Sequence, residues 1–482
     1  MLNRLTSSFD RKVSISSPSS SSPSQLTALD PKDQNTLTSL GIPLCSHAQA
    51  CIDCSLPCED DDDPPEYLNK SLLRLWSKQE IDLTPSPLLS IAHPTPFRSH
   101  ALISTDGKKD WVREVSEEIG SLAEMFEKFS GEDEKKLDGG GESSMTTTKT
   151  EGNLPKGVWS TTQESSPTRV LYQNSSHYSS SCQTTNEEGK PNHTLLLFPS
   201  FQLLTNVPAP SGGNEDVLRA IWDHFLRAGG GVEEDEIAKM RRKELVERQG
   251  VKRWVLPYRA VVLLCSHKKR DARCSIAASL LSSALRSHAE QAGWTVDERG
   301  DDHDSHSTTS TWGSLSSSPS KDEGWEWRKM ASEGKTPDHH GEDGEEGGGT
   351  LGIFQISHIG GHKYSGNVII YFPTGAGVWY GRVSPVRDVK AVFEKTIQQG
   401  IIIPEFLRAG INLVRESPAT ASSQAAAAAE EDPSSSITNG SGGKATSTTT
   451  TLVSGTRDEL LQKGKTQDGD GVGVPRRTLV QW

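Results

Sequence analysis

The chain has 482 residues, a formal net charge of −13 and a hydrophobic share of only 33%. A globular chain of this length would carry about three domains and about 45–50% apolar residues. The deficit therefore predicts compact cores separated by long polar inserts, and the acidic balance argues against generic nucleic-acid binding. No apolar run reaches the ~18 residues of a membrane helix. With no secretory apolar segment either, the 7 cysteines are read as thiols or metal ligands in a reducing compartment.

Residues 1–44 are rich in Ser and Pro and read as a disordered tail. Within it Arg4, Arg11 and Lys12 lie among Leu2, Leu5 and Phe9, a pattern shared with mitochondrial transit peptides. Cys45, Cys51, Cys54 and Cys58 follow, and then the acidic run Glu59–Asp63. Four thiolates satisfy the tetrahedral demand of zinc, but no paired knuckle follows, so solvent-facing thiols are the competing reading.

An N-terminal α/β domain is expected over 45–209. Its parts are a short helix carrying Leu72, Leu73, Leu75 and Trp76, a strand His100–Thr105, and an amphipathic helix Trp111–Phe129. In that helix Val112, Val115, Ile119, Leu122 and Met125 recur at spacings of three and four. Residues 130–190 are Gly/Ser/Thr-rich and read as a disordered insert that buries little. Leu195–Phe198 and Phe201–Leu204, split by Pro199, read as a strand and its exit. Residues 210–250 read as a helical linker, with helices Val217–Leu226 and Glu233–Arg248.

The second compact unit spans 251–415. Ala260–Leu264 is a continuous β-branched apolar run, as in a strand covered on both faces, and it ends at Cys265. A basic loop, Ser266–Arg273, leads to Cys274 at the start of a helix to about His288, with Ile276, Leu280, Leu281 and Leu285 as its buried stripe. Residues 297–350 form an acidic insert, too charged to pack. The chain resumes with strands Leu351–Ile356 and Val368–Phe372. Between them stands His358-Ile359-Gly360-Gly361-His362, whose glycines favour a tight loop over a helix. Trp379–Val383, a helix from about Val386 to Gln399 and the segment Ile401–Val414 close the unit, and 416–474 are low-complexity sequence.

The order strand, Cys-loop, helix, strand, His-loop, strand, helix is that of a thioredoxin-like α/β unit. It delivers Cys265 and His358 to the carboxyl ends of two strands, where ligands gather in open α/β sheets. Cys265, Cys274, His358 and His362 together offer two sulfurs and two imidazole nitrogens. That set suits zinc, or a 2Fe-2S cluster with one iron held by histidine. A thiol–disulfide pair is a third reading, although redox motifs of that class use two intervening residues rather than eight.

Cys265-x8-Cys274 with His267-Lys268-Lys269-Arg270-Asp271 between, His358-x-Gly-Gly-His362-x3-Gly366-Asn367 and Trp379–Val383 together resemble the sucrase/ferredoxin-like family. The nearest branch is the actin-patches-distal type of thioredoxin-like ferredoxin, and His100–Thr105, Asp110-Trp111 and Glu118–Ala123 are similar to its first domain. The resemblance implies a thioredoxin-like ferredoxin domain, a smaller N-terminal α/β domain and a 2Fe-2S cluster on Cys265, Cys274, His358 and His362. It implies one-electron transfer with a reductase as partner. Lys268, Lys269, Arg270 and Arg273 either steer an acidic reductase or form a solvated loop; Arg382 is expected to pack or pair at the sheet edge. The terminal Trp482, in the tail 475–482, is similar to the aromatic signal by which cytosolic iron–sulfur assembly machinery recognises clients. That implies a cytoplasmic protein, with mitochondria as the alternative.

Overall fold

The apolar runs pair into one mixed sheet. Its strands are β1 (Ser99–Ser104), β2 (Val158–Trp159), β3 (Val170–Ser175), β4 (His193–Phe198), β5 (Gln202–Val207) and β6 (Lys252–Val255). They continue as β7 (Ala260–Cys265), β8 (Thr295–Asp297), β9 (Thr350–Ile356), β10 (Val368–Tyr371), β11 (Gly377–Tyr380) and β12 (Leu407–Ile411). The spatial order is β2-β12-β11-β10-β7-β9-β3-β1-β4-β5-β6, with β8 beside the start of β9. This is a computed structural model, and it describes residues 29–52, 65–84, 86–138, 154–161, 166–179, 192–211, 213–227, 236–300 and 349–414. No helix among the described residues is long and apolar enough to cross a membrane.

Strand β7 shows why the sheet forms. Every residue from Ala260 to Cys265 is buried, as expected for a strand between a parallel neighbour, β9, and an antiparallel one, β10. Val262 and Leu264 pack with Ala277, Leu281 and Leu285 of the helix Ala272–Gln291. Val261, Leu263 and Cys265 face the other layer with Phe97, Phe198, Tyr371 and Trp379. Burying Val261–Leu264 contributes on the order of 10 kcal/mol before conformational entropy is subtracted.

The sheet is a repeat. In the first half the order β5-β4-β1-β3 pairs β1 parallel to β3 and antiparallel to β4, with β5 antiparallel to β4. In the second half β11-β10-β7-β9 does the same. Each half crosses from its first to its second strand with a helix between, Leu122–Asp138 or Ala272–Gln291. Each then adds a helix ending in a π-helical stretch, Trp222–Leu226 or Val392–Gln398, and a further antiparallel strand, β6 or β12.

The halves meet at Ser175 opposite Ile356. The bonds there are reciprocal: Ser176 N donates to Gln355 O at 2.8 Å and Ser357 N to Asn174 O at 2.9 Å. Asn174 N donates to Ser357 Oγ at 3.2 Å, and Gln355 N to Ser176 Oγ at 3.0 Å. The mixed α/β architecture expected from the sequence is therefore present, and the residues assigned above to two α/β domains share one sheet.

Three local expectations need correcting. The helix expected over Trp111–Phe129 starts only at Leu122 and runs to Asp138, after a short turn at Val115–Glu117. Gly120 adopts φ +73°, Ser121 Oγ accepts from Glu124 N, and Glu124 Oε2 accepts from Gly120 N. This is a capping box in all but the exact donor, and it leaves Ile119 91% exposed. The stretch 130–190 is not simply an insert, because it supplies β2 and β3. The segment 210–250 is not a linker either: Val217, Leu218, Ile221, Trp222, Leu226 and Val246 are buried in the core beside Phe126 and Phe129.

Candidate metal centre

Cys265 ends β7, and its neighbour in register on β9 is Ile356. The following loop folds back at once, with Arg270 N and Asp271 N both bonded to His267 O. Asp271 then caps the helix Ala272–Gln291, its Oδ1 accepting from Arg273 N at 2.9 Å. The cap places Cys274 in the first helical turn, its N–H bonded to Asp271 O at 3.2 Å. Eight residues between the cysteines are therefore the length of one strand exit and one capped helix start.

The histidine loop is shaped by close approach. His358 N donates to His267 Nδ1 at 3.3 Å, while His267 Nε2 lies 3.2 Å from Trp111 O. Those two bonds fix His267 as the tautomer protonated on Nε2. Gln173 Nε2 donates to His358 O at 2.8 Å. Gly361 has φ +69°, and a Cβ there would lie 2.5 Å from Arg408 Nη2, so no side chain fits. His362 begins a 3-10 turn to Tyr364. The His358 and His362 rings stand 5.8 Å apart between centroids.

All four residues named from the sequence come together. Cys265 and Cys274 are free thiols, 3% and 2% exposed. The Cys274 thiol, the His358 ring and the Ile359 backbone bond to the Cys265 sulfur and hold its pKa well below the ordinary thiol value. The same bond to Cys265, together with burial, raises that of Cys274. His358 Nδ1 and His362 Nδ1 are buried with no hydrogen-bond partner. The His362 ring is 45% exposed on its outer side, with Nε2 3.9 Å from Asp271 Oδ2. No three His, Cys, Asp or Glu side chains among the described residues gather around one point as a single ion would require.

The basic loop is half neutralised. Arg270 pairs with Glu114, and Arg273 pairs with Asp271 through Nη2 at 2.8 Å. Lys268 and Lys269 are exposed. Arg382 behaves as expected at the sheet edge, its guanidinium 5.1 Å above the Tyr364 ring and donating to Thr84 O at 3.1 Å. Of the four-cysteine cluster, Cys45 is half-buried, and Cys54 and Cys58 lie outside the described residues, as do Leu2–Lys12 and Trp482.

Sequence reasoning passed over Gln173, His267 and Arg408 as parts of the site. Arg408 left a signal, a lone cation in the apolar strand Leu407–Ile411. Gln173 left none, because its role depends on β3 lying beside β9.

Comparison with known proteins gives the chain's relatives. "Altered inheritance of mitochondria protein 32" from Meyerozyma guilliermondii is 52% identical over 59 residues, 12% of this chain and 20% of the relative. Its namesake from Clavispora lusitaniae is 49% identical over 53 residues, 11% and 19% of the two chains. That from Candida glabrata is 36% identical over 66 residues, 12% and 20%. The chain thus matches about a fifth of the length of these curated relatives. No solved structure matches. The description of the sucrase/ferredoxin-like family matches residues 91–409, from the helix before β1 into β12, and the chain belongs to that family.

Proposed function

We propose that Cys265, Cys274, His358 and His362 hold a 2Fe-2S cluster and that the protein carries single electrons. One observation carries the reading: two buried thiols adjoin two imidazoles whose Nδ1 atoms are buried without a partner. Beside a thiol pair, these two nitrogens complete a donor set of two sulfurs and two imidazoles, which supports a bound group. The donor set fits: a two-iron cluster divides its ligands into pairs, and imidazole ligation raises its potential above that of an all-cysteine cluster. When bound, the cluster supplies a one-electron couple.

A zinc ion held by the same donors is the competing reading, and metal analysis separates the two. A thiol–disulfide exchanger needs an accessible attacking thiol, and both sulfurs are buried. A reductase is the expected partner, approaching over exposed Lys268 and Lys269 and the outer edge of His362. The compartment is read as cytoplasmic. The relatives' name, which refers to inheritance of mitochondria, keeps the mitochondrial alternative in view, and cell fractionation decides between them.

The test is anaerobic purification followed by iron and acid-labile sulfide analysis and an EPR spectrum of the reduced protein. Two irons and two sulfides per chain with a reduced-state signal are expected for one cluster. A colourless protein with one zinc per chain would overturn the reading.

A further inference from the structure

Arg408 is the second residue of β12 and is 2% exposed. Its guanidinium donates to neutral oxygens: Nε and Nη2 to Ala92 O at 3.1 and 2.9 Å, and Nη1 to Asn367 Oδ1 at 2.6 Å and Gly360 O at 3.4 Å. Among the described residues it makes no ion pair with a carboxylate. A buried cation without an anion is strongly disfavoured, and carbonyl oxygens compensate it only in part. The acidic groups that act on it are Cys265, Cys274 and Tyr364.

The histidine loop is also built around this side chain. Gly361 leaves room for Nη2, and at Gly381 a Cβ would lie 2.7 Å from Arg408 Cδ. Asn367 links the two, its Oδ1 accepting from Arg408 while its Nδ2 donates to Gly361 O at 3.1 Å. Arg408 therefore touches, directly or through Asn367, the two glycines that separate the histidines.

We infer that Arg408 is a positioning residue and the fixed counter-charge of this centre: it braces the loop between His358 and His362 and favours the state carrying the extra electron. The inference rests on the cluster reading above. Two ferric irons, two sulfides, two thiolates and two neutral imidazoles sum to zero charge. One electron, taken from a one-electron donor with no bond made or broken, turns the centre into an anion. Reduction thereby gives Arg408 the negative partner that its neutral surroundings lack. Because the charge is buried, salt screens its effect far less than that of Lys268 or Lys269.

The experiment compares the parent with Arg408→Gln, which removes the charge, and Arg408→Lys, which keeps the charge but loses the fork of donors. Three quantities are read: iron and sulfide per chain, the reduced-to-oxidised ratio at a fixed poise, and amide hydrogen exchange at 358–367 in metal-free protein. In Arg408→Gln the ratio should fall about tenfold or more, from the loss of one charge at close range in a low dielectric. Arg408→Lys should stay within about threefold of the parent, since the charge remains. Both variants should exchange faster than the parent in the loop.

A loaded Arg408→Gln protein with the parental ratio would overturn the counter-charge role. If that variant does not load, a tenfold fall in Arg408→Lys would do so instead. Unchanged loop exchange in both variants would overturn the bracing role whether or not a cluster is present. A parent without iron and sulfide would sink the cluster reading and the counter-charge role with it, leaving the bracing role to stand or fall on exchange alone.

Discussion

The two halves of the sheet have one topology and different strand ends. Where β7 ends in Cys265, β1 ends in Ser104; where His358 follows β9, His177 follows β3. The first-half residues both bond to Thr194: Ser104 Oγ accepts from its N at 2.9 Å, and His177 Nε2 lies 3.1 Å from its O. The second half instead brings two buried thiols, Cys265 and Cys274, together with two imidazoles, His358 and His362. The fold thus provides the place, and the residues at two strand ends decide whether it becomes a site.

Removing 130–190 tests how far the halves depend on each other and carries the largest effect. It deletes β3, which among the described residues is the one strand between β1 and β9. Soluble protein should be lost altogether, as judged by expression and circular dichroism.

Substitution at the strand ends comes next. Cys265→Ser or Cys274→Ser should reduce iron to near zero. His358→Cys and His362→Cys should keep iron and move the potential downward, because thiolate replaces imidazole. His177→Ala should leave iron unchanged and lower stability by about 1–3 kcal/mol through an unsatisfied buried group. Loss of iron in His177→Ala would mean that the halves are not functionally distinct.

Two glycines sharpen the contrast. Gly361 and Gly120 have nearly the same backbone, φ +69° and +73°, but a Cβ at Gly120 would meet nothing within 4 Å. Gly120→Ala should cost about 1–2 kcal/mol, the ordinary penalty of the left-handed region. Gly361→Ala should exceed that and lower iron content, since it displaces Arg408. Denaturation curves read with iron analysis separate the two.

A pH effect distinguishes the halves further. His100 on β1 stands where β7 has Val261; it bonds Tyr371 Oη at 3.0 Å and Gln173 Oε1 at 2.9 Å. Burial pushes its pKa from 6.5 down to about 3, against the opposing bond to Gln173. Between those values the unfolded chain binds a proton that the native protein refuses. Stability should therefore fall as pH drops from 6.5 towards 3, by about 1.4 kcal/mol per pH unit from this group. His100→Gln should flatten that slope; a parental slope in the variant would show that other groups set it.

The smallest effect is expected from replacing 301–348 with a short Gly/Ser linker between β8 and β9. The stretch holds twelve acidic against four basic residues, a composition that buries little. Thermal stability and iron content should change little, in contrast to the removal of 130–190.

The sequence by itself determined the strands and the loops at their ends. Ala260–Leu264 and Val368–Phe372 could only be covered strands, and Gly360-Gly361 could only be a tight turn, because these signals are local: residue period, β-branching and glycine backbone freedom. It also named Cys265, Cys274, His358 and His362, since two of the four stand at strand ends and the others a turn away. Tertiary structure alone decided the rest. β3 lies in a Gly/Ser/Thr-rich stretch and becomes a central strand only because β1 and β9 accept it on either side. His267 meets the His358 backbone across 91 residues, Gln173 reaches His358 across 185, and Arg408 meets Ala92 across 316. A buried charge or a strand pairing is set by neighbours that distant chain segments bring, and a local sequence pattern carries no record of which segments those are.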